Sequence, residues 1–310
     1  MRLALLVSLA ALQTFAIETW VAAGYGGRRM ISHDGLKWEI TEEWGVDGKD
    51  DSNNLISAAY GAGKFVVVGG GGWSRDTQAG HILTSPDGVK WTEVKKLPFR
   101  VSPLVYAGKR FIAGGPDRTL WFSDDGTNWT QGGQAKAEGI PSWALWFRQG
   151  AYGNGVYVFM GEAGAKKEFF WCMRTTDGTK VDFRADLPQL RSLAFGNKLF
   201  VAVGNGAIVT SVDGKDWLKQ ERPVDEKLDW IQWTGKQFLA GGSKVTLTST
   251  DGKTWQPSTI RAPGRIVWTD GQRFIASSWP GKMFFSADGK TWQQSAAMTP
   301  NGINAVVKAP

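Results

Sequence analysis

Ser286–Trp292 reads SADGKTW, and the chain carries six further versions of this heptad. SHDGLKW (Ser32–Trp38), SPDGVKW (Ser85–Trp91), SDDGTNW (Ser123–Trp129), SVDGKDW (Ser211–Trp217) and STDGKTW (Ser249–Trp255) keep every defining position. TTDGTKV (Thr175–Val181) keeps the turn but has Val where the others have Trp. Asp-Gly between apolar segments is a hairpin signal, because Gly takes positive φ freely and Asp accepts from backbone amides two residues on. The Ser or Thr two residues before the Asp can satisfy another turn amide. The Trp opens the next strand and folds back as a lid, burying roughly 150–250 Å².

Working outward, a second pattern precedes each heptad: an aromatic residue, a Gly-containing turn, then an aromatic residue leading an apolar strand. It runs from Tyr60 to Phe65, Tyr106 to Phe111, Tyr152 to Tyr157, Phe195 to Phe200, Trp233 to Phe238 and Trp268 to Phe274. Each is a hairpin between a first and a second strand. A third strand enters the heptad turn and a fourth leaves it, so each repeat makes a four-stranded blade. The heptad glycines Gly35, Gly88, Gly126, Gly178, Gly214, Gly252 and Gly289 lie 53, 38, 52, 36, 38 and 37 residues apart. A base period near 37 with two insertions predicts an all-β, seven-bladed β-propeller. Trp20–Gly24 aligns with Phe65–Gly69, a second strand. Ile303–Val307 aligns with Ile56–Tyr60, a first strand. The C-terminal strand is therefore expected to complete the first blade and remove the open edge.

The heptad resembles the Asp-box, or bacterial neuraminidase (BNR), repeat of sialidases, sortilin-type receptors, xyloglucan hydrolases and photosystem II assembly factors. It differs from S-x-D-x-G-x-x-W by one residue fewer between Asp and Gly. In that sialidase-like superfamily the motif joins the two outer strands of a blade, away from the ligand face, and the resemblance implies a scaffold role for the seven Asp residues. Sialidases themselves use six blades, an arginine triad, a Tyr–Glu pair and an Arg-Ile-Pro segment that is absent here. Typical sialidase activity is therefore not implied.

Residues 1–16 read as a signal peptide and 17–310 as the propeller. Met1-Arg2 is a short positive region, Leu3–Leu12 is an apolar run too short to span a bilayer, and Thr14-Phe15-Ala16 supplies small residues for cleavage. The expectation is a secreted or periplasmic monomer without a membrane span. Cys172 is the single cysteine, in an apolar strand, and reads as a buried, inert thiol. The net charge of +7 is dispersed without a polybasic run, which favours acidic partners and excludes a dedicated nucleic-acid binder.

The heptad turns and Gly hairpins occupy one face. Second-to-third-strand loops and interblade connections occupy the other, where the long insertions fall and function is expected. That face collects candidate ligand-binding residues Arg28, Trp73, Arg75, Arg100, Arg118, Arg148, Arg191, Trp230, Arg265 and Trp279. The interblade arginines start the innermost strands and should point at the channel mouth. Guanidinium forks hold carboxylates and aromatic faces stack on sugar rings, so a glycan or other anionic ligand, above all an acidic saccharide, is expected.

Catalytic candidates are His81, Arg75, Asp76, Glu162 and Tyr25. His81 reads either as a loop histidine capping a strand or as a general acid–base beside Arg75 and Asp76. His33 lies in a heptad turn on the other face. Asp47–Asn54 is acidic enough to suggest Ca²⁺ but lacks the spacing of a calcium loop, so a solvated turn is the simpler reading. No metal and no cofactor is predicted. The leading expectation is a ligand-binding propeller. A glycoside hydrolase or polysaccharide lyase using the same face is the alternative, and a protein-binding assembly propeller is a further one.

Overall fold

A computed structural model describes residues 18–44, 53–71, 78–136, 145–163, 169–295 and 302–310. The residues assigned to a signal peptide, most of the acidic stretch 47–54, and Trp73, Arg75 and Asp76 lie outside the described residues.

Seven four-stranded antiparallel sheets form the molecule. Blade 1 is built from Ile303–Lys308, Trp20–Gly24, Arg29–Ser32 and Glu39–Glu42, so the C-terminal strand supplies its inner edge as the repeat alignment predicts. The inner strands of blades 2 to 7 are Leu55–Gly61, Leu104–Ala107, Leu145–Gly153, Leu190–Gly196, Trp230–Trp233 and Arg265–Thr269. They follow one another around a closed ring, with blade 7 meeting blade 1. Among the described residues no helix is long and apolar enough to cross a membrane.

The core lies between blades. Each pair of neighbours shares one apolar cluster: Val21, Ala23, Leu55 and Phe65 join blades 1 and 2, and Val201, Ile208, Ile231 and Phe238 join blades 5 and 6. The hairpin aromatics pack ring to ring within a blade, with centroids 4.8 Å apart for Tyr60–Phe65 and 4.7 Å for Phe195–Phe200. In three hairpins glycine follows the first aromatic, and there the next blade's aromatic lies against it. A methyl group at Gly61, Gly153 or Gly196 would stand only 2.4, 2.1 and 2.1 Å from Tyr106, Phe195 and Trp233.

The heptad turns behave as their chemistry demands. In all seven, the Ser or Thr Oγ accepts from the heptad glycine's amide at 2.8–2.9 Å. Asp34 Oδ1 accepts from the amides of Leu36 (2.8 Å) and Lys37 (2.7 Å), and Asp251 accepts from Lys253 and Thr254 at 2.8 Å each. Five of the tryptophans donate Nε1–H back to the heptad glycine's carbonyl at 3.0–3.2 Å. Trp292 Nε1 makes no such bond.

These bonds hold the turn carboxylates below the ordinary range. The amides of Lys90 and Val89 do so for Asp87. At Asp251 burial pushes upward, but the amides and the Ser249 hydroxyl outweigh it and bring the carboxyl to about 2. Ring closure adds one more such group. Glu18 accepts from Arg273 of blade 7 at 2.6 Å and from Lys308 of the closing strand, and both lower it to about 2. Cys172 is buried, and that burial pushes its thiol up to about 11, which accords with an inert side chain.

Candidate functional site

Inner strands run from the face opposite the heptad turns toward them, so their first residues encircle one end of the channel. There the wall encloses a cavity of about 330 Å³. Each blade contributes one residue at a comparable level: Asn304, Ile56, Ser102, Arg148, Arg191, Asp229 and Arg265, in blade order. Glu162, from the second strand of blade 4, joins them.

A backbone irregularity delivers several of these side chains. The pairing of the inner strand slips by one residue between Leu55 and Ser57, between Phe147 and Gln149, and between Leu190 and Ser192. The extra residues are Ile56, Arg148 and Arg191. Blade 1 shows the same slip around Asn304, since Gly24 pairs with Ile303 and Ala23 with Ala305. A bulged residue leaves the ladder and its side chain is re-aimed, here toward the channel axis. Asn304 is then fixed by donating Nδ2–H to Asn54 Oδ1 (2.6 Å) and to the Leu55 carbonyl (2.8 Å). Ser57 and Ser192 serve the walls instead: their hydroxyls accept from the amides of Leu104 (3.0 Å) and Ile231 (3.2 Å) in the adjoining blades.

Charge in the mouth is incompletely matched. Arg148 donates to Glu162, which is buried, and Arg191 lies 3.7 Å from Asp229. Arg265 makes no ion pair among the described residues. Its guanidinium is open to water in the mouth yet walled by strands. This desolvation pulls it below its ordinary value, and the Asp229 charge opposes the shift. Arginine stays protonated all the same, so among the described residues three guanidinium groups face two carboxylates.

The other sequence candidates are placed as follows. Arg28 is buried and committed to Glu43, with Nε–Oε2 at 2.8 Å, so it is not presented to a ligand. Arg100 donates Nε–H to the Gly70 carbonyl at 3.0 Å, and Arg118 sits half-buried in the turn Pro116–Arg118; neither lines the cavity. Trp230 corrects the expectation outright: it is 4% exposed and packs against Gly241 between blades 6 and 7. An inner strand's alternate positions face the neighbouring blade, and Trp230 takes one of them.

His81 is neither a loop cap nor a free acid–base. It lies inside the strand Ala79–Ser85, buried, with Nδ1 2.5 Å from Glu93 and its ring 4.8 Å from Trp44. The strands of blade 2 extend further than the Gly-rich sequence suggests, which carries His81 into the sheet. Tyr25 and Glu162 do not meet as a catalytic pair: Tyr25 sits on blade 1 with its ring edge-on to Trp279, 6.0 Å away, while Glu162 belongs to Arg148 in blade 4. His33 is on the heptad-turn face, its Nδ1 3.0 Å from the Glu18 carbonyl. Among the described residues no three His, Cys, Asp or Glu side chains gather as metal ligands.

Two features of this face escaped the sequence reading. Trp146, two residues before Arg148 on the same inner strand, is 46% exposed; the repeat alignment could have placed it at the rim. The pairing of Glu162 with Arg148 crosses an irregular register and left no sequence signal.

No family model and no curated protein matches the chain. Solved structures match over most of its length. Apo AztD from Citrobacter koseri is 10% identical, covering 95% of this chain and 98% of its own, with a TM-score of 0.54. YCF48 bound to a D1 peptide is 16% identical over 82% of this chain and 90% of its own, TM-score 0.56. A chain of a nidogen–laminin complex is 9% identical over 94% and 98%, TM-score 0.52. At these identities the likeness is one of fold.

Proposed function

We propose that this chain is an exported Asp-box propeller that binds a carboxylate-bearing ligand, an acidic saccharide above all, in the mouth of its channel. The observation that carries this is the ring of cations: among the described residues, Arg148, Arg191 and Arg265 converge on one cavity with the carboxylates Glu162 and Asp229. Arg265 has no ion pair among the described residues, and a ligand carboxylate held by guanidinium forks would complete the charge match. The turn bonding, with Ser, Asp and Trp each in its role, supports the Asp-box reading of the scaffold.

Calorimetric titration with galacturonic acid, using glucose as the uncharged control, tests the reading. The acid binds and glucose does not. Arg265→Gln weakens the acid about tenfold to a hundredfold, the equivalent of about 1.5–3 kcal/mol for charged hydrogen bonds. Absence of binding, or wild-type affinity in both Arg265→Gln and Arg191→Gln, contradicts it.

A protein partner is the second reading, favoured by the YCF48 structure with a bound D1 peptide and the nidogen–laminin complex. An acidic peptide that binds without competing with galacturonic acid would support it.

A further inference from the structure

The wall of the mouth differs from one side to the other. Among the described residues that line it, every charged one comes from blades 4 to 7: Arg148, Glu162, Arg191, Asp229 and Arg265. Blades 1 to 3 bring Asn304, Ile56 and Ser102, with Pro103 beside the serine. Inner strands touch in blade order and blade 7 meets blade 1. Blade 2 is therefore three steps around the ring from blades 5 and 6, and blade 3 is three from blades 6 and 7. Ile56 and Pro103 thus lie across the cavity from Arg191, Asp229 and Arg265.

Ile56 is the informative member of the neutral side. It holds the bulged position that carries Arg148 in blade 4 and Arg191 in blade 5. The slip of register that aims a guanidinium at the channel in those blades aims a branched hydrocarbon at it here, and the side chain is only half-buried. A single exposed apolar residue is ordinary on a surface at large. Here it gives a cavity of about 330 Å³, at the small end for ligand sites, an aliphatic wall opposite its cations. Arg148 is committed to Glu162, whereas Arg191 stands 3.7 Å from Asp229 and Arg265 has no ion pair among the described residues. A bound carboxylate is therefore drawn toward blades 5 to 7, and the far side of the ligand meets Ile56. Asn304, next to Ile56 in the ring, gives both Nδ2 hydrogens to Asn54 and Leu55, so it keeps none for an anion. A charge on that side of the ligand would lose its water against hydrocarbon.

Resting on the anion-binding reading above, we infer that the mouth selects a uronate with a single charge, and that Ile56 is the residue that selects it. The carboxylate goes to Arg191 and Arg265, and an uncharged, C–H-rich side of the sugar goes to Ile56 and Pro103. In a uronate pyranose C5 bears the carboxylate, and C2 is the ring atom opposite. The class accepted is a uronate with a hydroxyl or methyl ether at C2. The class rejected is the 2-O-sulfate, although a surplus of cations alone would favour the sugar with more charge.

Calorimetric titration of the full chain with galacturonic acid, its 2-O-methyl ether and its 2-O-sulfate tests this, with Ile56→Ala and Ile56→Arg alongside. The methyl ether binds about fourfold more tightly than the parent acid, the worth of one buried CH₂-sized group at about 0.8 kcal/mol. The sulfate binds about tenfold more weakly than the parent. Ile56→Ala abolishes the gain for the methyl ether and leaves binding of galacturonic acid unchanged. Ile56→Arg, a residue that the equivalent position carries in blades 4 and 5, makes the sulfate the tightest of the three. Melting curves check that each variant folds. Equal affinity for parent and methyl ether, a sulfate that binds the wild type more tightly than the parent, or an unchanged ranking in Ile56→Arg overturns the selection while leaving the carboxylate site standing. Failure of all three sugars to bind the wild type would instead remove the carboxylate site, and the selection with it.

Discussion

The two ends of this propeller treat charge in opposite ways. On the heptad-turn face seven carboxylates recur at equivalent positions, and each is met by backbone amides and a neighbouring hydroxyl of its own turn. At the channel mouth seven equivalent positions carry five residue types, and the arginines among them are only partly answered. Repetition with complete local satisfaction marks scaffold. Divergence at repeated positions, with unmatched charge, marks a place adapted to something outside the chain. The contrast teaches where not to look for chemistry: the most regular motif in the sequence is the least available to a ligand.

The largest effect that could break this contrast is on stability. Trp129→Ala empties the lid over a heptad turn beside Phe111, where Trp129 is 9% exposed. It should cost about 3–5 kcal/mol in denaturant unfolding without altering ligand affinity in the surviving folded protein. A mouth substitution should do the reverse. Arg265→Gln removes an exposed cation that has no ion pair among the described residues, so unfolding free energy stays within about 0.5 kcal/mol of wild type while binding falls. A large loss of stability in Arg265→Gln would make the mouth arginines interblade ties.

A smaller effect sharpens the contrast through pH. Asp251 and Glu18 are held at about 2 in the fold, against about 3.9 and 4.3 for free Asp and Glu. Depressed carboxylates contribute stability in full above their unfolded values and lose it as pH falls through the folded ones. Melting temperature should therefore hold down to about pH 5 and drop progressively toward pH 2, and Glu18→Gln should flatten part of the drop. The mouth arginines do not titrate there and contribute nothing to the slope. A melting temperature indifferent to pH between 5 and 2 would deny the turns their role.

The repeat made the fold legible almost completely. Blade count, the strand order within a blade and the closing strand Ile303–Lys308 all follow from seven turns and their spacing, because each turn's bonds are local. The mouth was legible only where a residue's role depended on its place in the repeat. Arg148, Arg191 and Arg265 were visible because they open inner strands. Trp230, placed by the same reasoning, turned inward instead, since the parity of a strand position depends on a bulge that leaves no local signature. Arg28 and His81 were misjudged for a related reason: their partners Glu43 and Glu93 lie 15 and 12 residues away, joined by pairing between strands.

The central claim is that the mouth, not the heptad-turn face, receives an acidic ligand. A crystal structure with a bound oligogalacturonate tests it most directly. The account predicts a carboxylate within hydrogen-bond reach of Arg265 and Arg191. Sugar bound along the heptad turns, with an empty mouth, would contradict it.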